Sequence, residues 1–140
     1  MSTSNIETPQ CVPIFAIPDT ANFRLAEGIM TRNLTQILQA LDDGANPRGT
    51  HGISTMLHLA ASCANLPAVQ LLIEAGAQID ARNRLGNLPI HSAVIADAPT
   101  IVACLLEHGS PSAPQNVYGI TPRMAAERCH STKCTKILPD

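Results

Sequence analysis

Apolar residues recur along this chain in short clusters that return at a fixed interval. Three segments superpose at a spacing of 33 residues: Thr55-Met56-Leu57-His58, Leu88-Pro89-Ile90-His91 and Thr121-Pro122-Arg123-Met124. Ala60, Ala93 and Ala126 share a slot downstream, and the runs 69–76 (VQLLIEAG) and 102–109 (VACLLEHG) match almost position for position. The segment 37–44 (ILQALDDG) carries the same pattern one residue short of the period, with Leu25 in the slot of Leu57 and Asn33-Leu34 in that of Asn65-Leu66. The chain therefore reads as four units at about 20–52, 53–85, 86–118 and 119–140, the first and last irregular. Residues 1–19 carry three prolines and little periodicity, and are expected to form a flexible arm. In that arm Val12, Ile14, Phe15 and Ile17 could instead fold back on the first unit or dock on a partner.

Each unit predicts two short helices. In the second unit Thr55 suits an N-cap, and Leu57, Ala60 and Ala61 recur at helical spacing until Ala64-Asn65 breaks the pattern. The next helix starts near Leu66, with Pro67 in its first turn, Val69, Leu72 and Ile73 on one face and Gly76 as a left-handed stop. Pro89, Pro99, Val102, Leu105, Leu106 and Gly109 repeat this grammar in the third unit. The polar linkers, such as 77–88 (AQIDARNRLGNL), fit extended hairpin-like loops. Helices of about eight to ten residues do not persist alone, so stacking of neighbouring units must stabilise them. The fold class predicted is an all-α repeat solenoid.

Several anchors recurring in phase, Thr55-x-Leu57-His58-x-Ala60-Ala61, Pro89-Ile90-His91-x-Ala93, Gly119-x-Thr121-Pro122 and the Val-x-x-Leu-[Leu/Ile]-x-x-Gly endings, resemble the ankyrin repeat consensus over roughly residues 20 to 138. The resemblance implies helix-turn-helix units joined by β-hairpin fingers in a curved, L-shaped stack. It also implies protein binding without catalysis in the repeats. The departures carry expectations of their own. Leu88 stands where a capping Thr belongs, a loss of about 1 kcal/mol unless Asn87 takes over. Met56 stands in place of a proline, a mild change. Arg123 and Met124 replace the Leu-His pair of the last unit, and Thr135 and Pro139 are expected to interrupt its second helix. The fourth unit is thus a terminal cap or an incomplete repeat. The loop 44–55 is one residue short and puts Gly52 out of phase, so its finger should differ in shape.

Composition narrows the work such a chain can do. Nine Lys+Arg against eleven Asp+Glu give a net charge of -2, without the basic excess that nucleic-acid binding needs. The only aromatic residues, Phe15, Phe23 and Tyr118, are too few for base-stacking platforms. No run approaches a membrane span, and the eight glycines fall mostly at helix stops and turns rather than in a phosphate loop. Five cysteines at irregular spacing, with no secretory or lipidation signal, favour a cytosolic or nuclear setting.

Candidate chemistry is sparse. His58 and His91 occupy equal slots and invite a metal reading, but a buried imidazole bonded to backbone is the better account. Cys129-His130 with Cys134 lacks the paired spacing of a zinc site, and Cys63 lies five residues from His58 with no third group to complete a nucleophilic site. Neither metal nor cofactor is expected, and no catalytic residue. Arg123, Arg128, Lys133 and Lys136 make the last unit basic, as the solvated face of a cap requires.

By analogy with the family, a partner protein would meet Arg82, Arg84, Leu85 and Asn87 on the second finger and Gln115, Val117, Tyr118 and Ile120 on the third. On the inner helices it would meet Ser62, Cys63, Ile95 and Ala96. Tyr118 is the one tyrosine, beside Val117 and Ile120, the composition of an interface anchor. The function expected is protein recognition by occupancy, as an inhibitor or competitor acting as a monomer. The alternative is a scaffold or accessory subunit that stacks on another chain through the last repeat.

Overall fold

The computed structural model of the chain describes residues 20–138; the apolar residues Val12, Ile14, Phe15 and Ile17, and Pro139, lie outside them. Among the described residues eight helices form four pairs: α1 (Thr20–Thr31) with α2 (Leu34–Asp42), α3 (Met56–Ser62) with α4 (Leu66–Glu74), α5 (Pro89–Ile95) with α6 (Pro99–Glu107), and α7 (Pro122–Arg128) with α8 (Thr132–Ile137). The first helices of the pairs touch in succession, as do the second helices, so the molecule is an inner and an outer column of helices. The apolar residues at helical spacing meet between the columns, where Leu25, Ile29, Ile37, Leu57, Leu72, Ile90, Ile101 and Leu105 are buried.

The turn within each pair has one geometry. Arg32, Ala64, Asp97 and His130 all adopt left-handed backbone, with φ of 60, 54, 54 and 57°. The amide after each bonds back five residues, Asn33 N–H to the Gly28 carbonyl, Asn65 to Ala60, Ala98 to Ala93 and Ser131 to Ala126, closing the inner helix. That explains why the slot of Ala60, Ala93 and Ala126 is small. In the first unit it is Gly28, where an added Cβ would stand 3.0 Å from Ile37 Cγ1. The outer helices close in the same way at Gly44, Gly76 and Gly109, whose φ of 98, 105 and 94° suits glycine.

Capping differs between units. Thr55 Oγ1 accepts from His58 N–H and Asn65 Oδ1 from Ala68 N–H, so both helices of the second unit are capped. In the third unit Leu88 and Ala98 offer no side-chain acceptor. Asn87 does not take over: its Oδ1 accepts instead from Asn116 Nδ2 at 2.9 Å.

The last unit departs from expectation in two places. Thr135 lies within α8, because its hydroxyl donates to the Ser131 carbonyl one turn back at 2.8 Å. Arg123, in a slot filled elsewhere by Leu57 and Ile90, donates from Nη1 to the Thr135 and Leu138 carbonyls, so it stabilises the end of α8 rather than standing free on the surface. At the other end of the described stack Arg24 pairs with Asp43 at 2.7 Å and Gln36 donates to Glu27. The hydrogen bonds from Arg24 and Gln39 hold the Asp43 carboxyl below its usual range.

The three fingers, 43–55, 75–88 and 108–121, differ as the short first loop foretold. The first forms an antiparallel pair, β1 (Thr50–His51) with β2 (Ser54–Thr55), around Gly52 at φ 67°. The other two have no regular strand, because asparagines take over the bonds that strand partners would make. Asn83 Oδ1 accepts from the amides of Leu85 and Asn87, and Asn116 Oδ1 from those of Tyr118 and Ile120.

Candidate functional site

The fingers are tied to the inner helices and to each other. His58 Nε2 donates to the Asn87 carbonyl at 2.6 Å, and His91 Nε2 to the Ile120 carbonyl at 3.0 Å. A carbonyl only accepts, so both rings carry their proton on Nε2 and Nδ1 is an acceptor. His58 Nδ1 receives the Thr55 hydroxyl at 2.7 Å and His91 Nδ1 receives the Leu88 amide at 3.0 Å. Burial lowers both imidazole pKa values, against the opposing pull of the Asn87 and Ile120 carbonyls; His91 disfavours charge on His58, and Arg82 disfavours charge on His91. Each ring is therefore a neutral clamp holding the finger that follows it.

A second set of bonds runs from finger to finger. Asn83 Nδ2 donates to Ser54 Oγ at 3.2 Å, Arg84 N–H to the Ile53 carbonyl and Val117 N–H to the Leu85 carbonyl. Arg82 Nη1 donates to the Gly86 and Gln115 carbonyls, both at 2.8 Å, spanning two fingers. Gly86 permits this closeness, since an added Cβ would lie 2.9 Å from Val117 N. The fingertips are thus held in register by backbone, and their side chains are free for another role.

Two rows of exposed side chains result. Ile53, Leu85 and Tyr118 occupy the same slot of successive fingers and are 48, 39 and 71% exposed, with Val117 beside Tyr118 at 65%. Along the inner column Met30, Ser62, Ile95 and Arg128 share a slot, Ile95 being 58% exposed, and Phe23 lies two turns before Met30 on α1. Beside Ile95 a cleft of about 200 Å³ is lined by Asn87, His91, Asn116, Ile120, Ala125, Arg128 and Cys129. Such a surface can hold apolar side chains of another molecule against rigid walls, with cationic groups at the rim.

Of the residues singled out in the sequence, Arg84, Leu85, Gln115, Val117 and Tyr118 are exposed on the fingers and Ile120 is half-buried in the cleft. Arg82 is exposed, yet its guanidinium is engaged in the finger ladder, and Asn87 is buried, bonded to Asn116 at the wall of the cleft. Ser62 and Ile95 are exposed, Cys63 and Ala96 half-buried. Phe23, Met30 and Ile53 were not singled out. Ile53 is found only by allowing for the residue missing from the first loop, and Met30 and Phe23 by carrying the inner-helix slot back into the first unit.

Nothing in the remaining candidates assembles a reactive centre. Cys134 is buried and Cys129 exposed, and burial pushes the Cys104 and Cys134 thiols up, making them poorer nucleophiles. Both imidazole nitrogens of His58 are occupied by hydrogen bonds, leaving none to activate Cys63. Among the described residues no three His, Cys, Asp or Glu side chains are grouped to hold a metal ion, and no helix is long and apolar enough to cross a membrane.

Residues 29–114 and 57–140 match a family model described as ankyrin repeats in three copies. The chain is similar to the E3 ubiquitin-protein ligase KEG of Arabidopsis thaliana, at 39% identity over 82 residues, covering 56% of this chain and 5% of that protein. It is similar to human neurogenic locus notch homolog protein 4, at 38% identity over 92 residues, or 63% of this chain and 4% of the relative. It is also similar to human B-cell lymphoma 3 protein, at 29% identity over 115 residues, or 79% of this chain and 23% of the relative. The chain thus spans at most 23% of the length of these three relatives.

Proposed function

Because the chain belongs to the ankyrin repeat family, we propose that it is a non-catalytic recognition module that binds a partner protein on the face formed by its fingers and inner helices. The observation that carries this reading is the set of large apolar side chains left exposed on successive fingers, Ile53, Leu85 and Tyr118, and on the inner helices, Met30 and Ile95, with a cleft beside Ile95. Leaving large apolar side chains in water on a backbone held so tightly favours association, since little conformational freedom remains to be lost on binding. Arg84 and Arg128 at the margins favour a partner with acidic residues flanking its apolar anchors. Binding acts by occupancy, so the module works as an inhibitor or competitor, in the cytosol or nucleus.

Affinity capture from source-cell extract, comparing the parent chain with Tyr118→Ala/Arg84→Ala after circular dichroism shows both folded, tests the site. A partner retained by the parent and lost by the variant, with hydrogen-exchange protection of residues 84–86 and 117–119 in the complex, is the expected result. Equal capture by both overturns the assignment. A second reading, stacking on another chain, draws on the open side of the last unit, where Ala126, Glu127, His130, Thr132, Thr135 and Lys136 border a cleft of about 410 Å³. It predicts a mass that rises with concentration in analytical ultracentrifugation.

A further inference from the structure

The outer column carries an apolar groove that the finger face does not account for. Leu34 and Leu38 project from α2, each 46% exposed, and face Pro67 and Leu71 of α4 across a cleft of about 240 Å³ that Gln70 and Glu74 complete. The slot of Leu38 holds Gln70, Ala103 and Lys136 in the later units, so stacking does not require a large apolar residue there. The stripe 34, 38 ends one turn later at Asp42, and the facing stripe 67, 71 ends at Glu74. Asp42, Glu74 and Glu107 are each the last residue of an outer helix, all exposed. Among the described residues none of the three forms an ion pair. Carboxylates at helix C-termini face the negative end of the dipole, so this row opposes local stability.

We propose that the α2–α4 groove is a second docking surface, and that its occupant is an amphipathic helix of a partner protein bearing a basic residue one turn before two apolar residues spaced one turn apart. The groove selects each feature. From Leu34 to Asp42 is eight residues, about 12 Å along a helix, the span from the first to the ninth residue of a bound helix. The apolar pair fills the space between Leu34, Leu38 and Leu71, and the basic group meets Glu74, with Asp42 one turn beyond Leu38 at the end of α2. The carboxylates and the carbonyl ends of α2 and α4 lie together at one end, so the positive N-terminus of the bound helix belongs there. That orientation places the basic residue first in the partner's sequence.

The test uses a capped alanine–glutamine helical peptide carrying Arg followed by Leu four and eight residues later, titrated into the labelled chain by NMR. Saturable amide shifts at Leu38, Gln70, Leu71 and Glu74 are expected. Leu38→Gln and Glu74→Arg should each weaken binding at least about tenfold, roughly 1.4 kcal/mol, and Tyr118→Ala should leave it within about twofold. Glu74→Arg should at the same time keep or slightly raise the thermal midpoint, which a carboxylate with a structural role would not allow. No saturable binding up to about 1 mM, a range that reaches weak complexes, overturns the proposal. So do shifts centred on the fingers, or unchanged affinity in Glu74→Arg. The absence of binding and an unchanged affinity in Glu74→Arg both leave the finger face, tested by Tyr118→Ala/Arg84→Ala, untouched.

Discussion

The second and third units share a backbone and differ in how their helices begin. Thr55 and Asn65 cap both helices of the second unit through side-chain oxygens, and Asn65 Nδ2 also reaches the Ile29 carbonyl of the unit before it at 3.1 Å. The third unit has Leu88 and Ala98 in those slots and no side-chain cap, yet its helices have the same lengths, seven and nine residues. What the two units share is therefore what specifies the repeat: the buried Leu72 and Leu105, the left-handed turn at Ala64 and Asp97, and the His58 and His91 clamps. Caps adjust stability, while packing and the imidazole clamps set geometry. Proline in the first turn of α5, which α3 lacks, with Leu88 itself 1% exposed, offsets part of what the third unit lacks.

The sharpest way to break this comparison is in the core. Leu72→Ala and Leu105→Ala remove equivalent buried side chains, and each should cost about 2–5 kcal/mol in urea unfolding. A pair differing by several kcal/mol would show that the two units are not equally packed.

Acid comes next. Burial holds both imidazole pKa values below the usual histidine value of about 6.5, so the unfolded chain binds more protons than the folded one. The clamps' full contribution is present above about pH 6.5 and is lost as pH falls through that value, at up to about 1.4 kcal/mol per pH unit for each ring, until the lowered folded pKa is reached. Protonation also puts a hydrogen on Nδ1, where the Thr55 and Leu88 donors already point. His58→Gln should lower stability at neutral pH and flatten the acid slope by about half, one of two titrating rings being gone. An unchanged slope would remove His58 from the account.

The smallest effects lie at the caps. Asn65→Ala should cost about 1–2 kcal/mol, because it leaves the Ala68 amide unanswered and the Ile29 carbonyl with only the longer bond from the Arg32 amide. Ala98→Asn, which gives the third unit the second unit's residue, should gain about 0.5–1 kcal/mol in thermal melts. A loss instead would mean that the slot beside Ala98 lacks the room that Asn65 enjoys.

Much of this was legible in the residues. The 33-residue phase identified the units, Thr55 and Pro99 marked helix starts, Gly76 and Gly109 marked stops, and the short first loop foretold a different finger. Those features are local: a cap, a fixed φ or a missing residue acts within one turn of the chain. The candidate face was legible only in part. Tyr118, Val117 and Leu85 stood out by type and slot, and they are exposed. Asn87 and Arg82 looked equally available, yet Asn87 is buried against Asn116, and Arg82 spans the Gly86 and Gln115 carbonyls.

The sequence by itself determined the period, the helix pairs and their order, because the caps, stops and apolar spacings that mark each helix act within about ten residues and recur in phase every 33. Tertiary structure alone decided which polar side chains are spent inside the molecule. Asn87 meets Asn116, His58 meets the Asn87 carbonyl and Arg82 meets the Gln115 carbonyl across separations of 29 to 33 residues. A buried or ordered polar group must take the partner that stacking brings to it, and that partner lies about one repeat further along the chain.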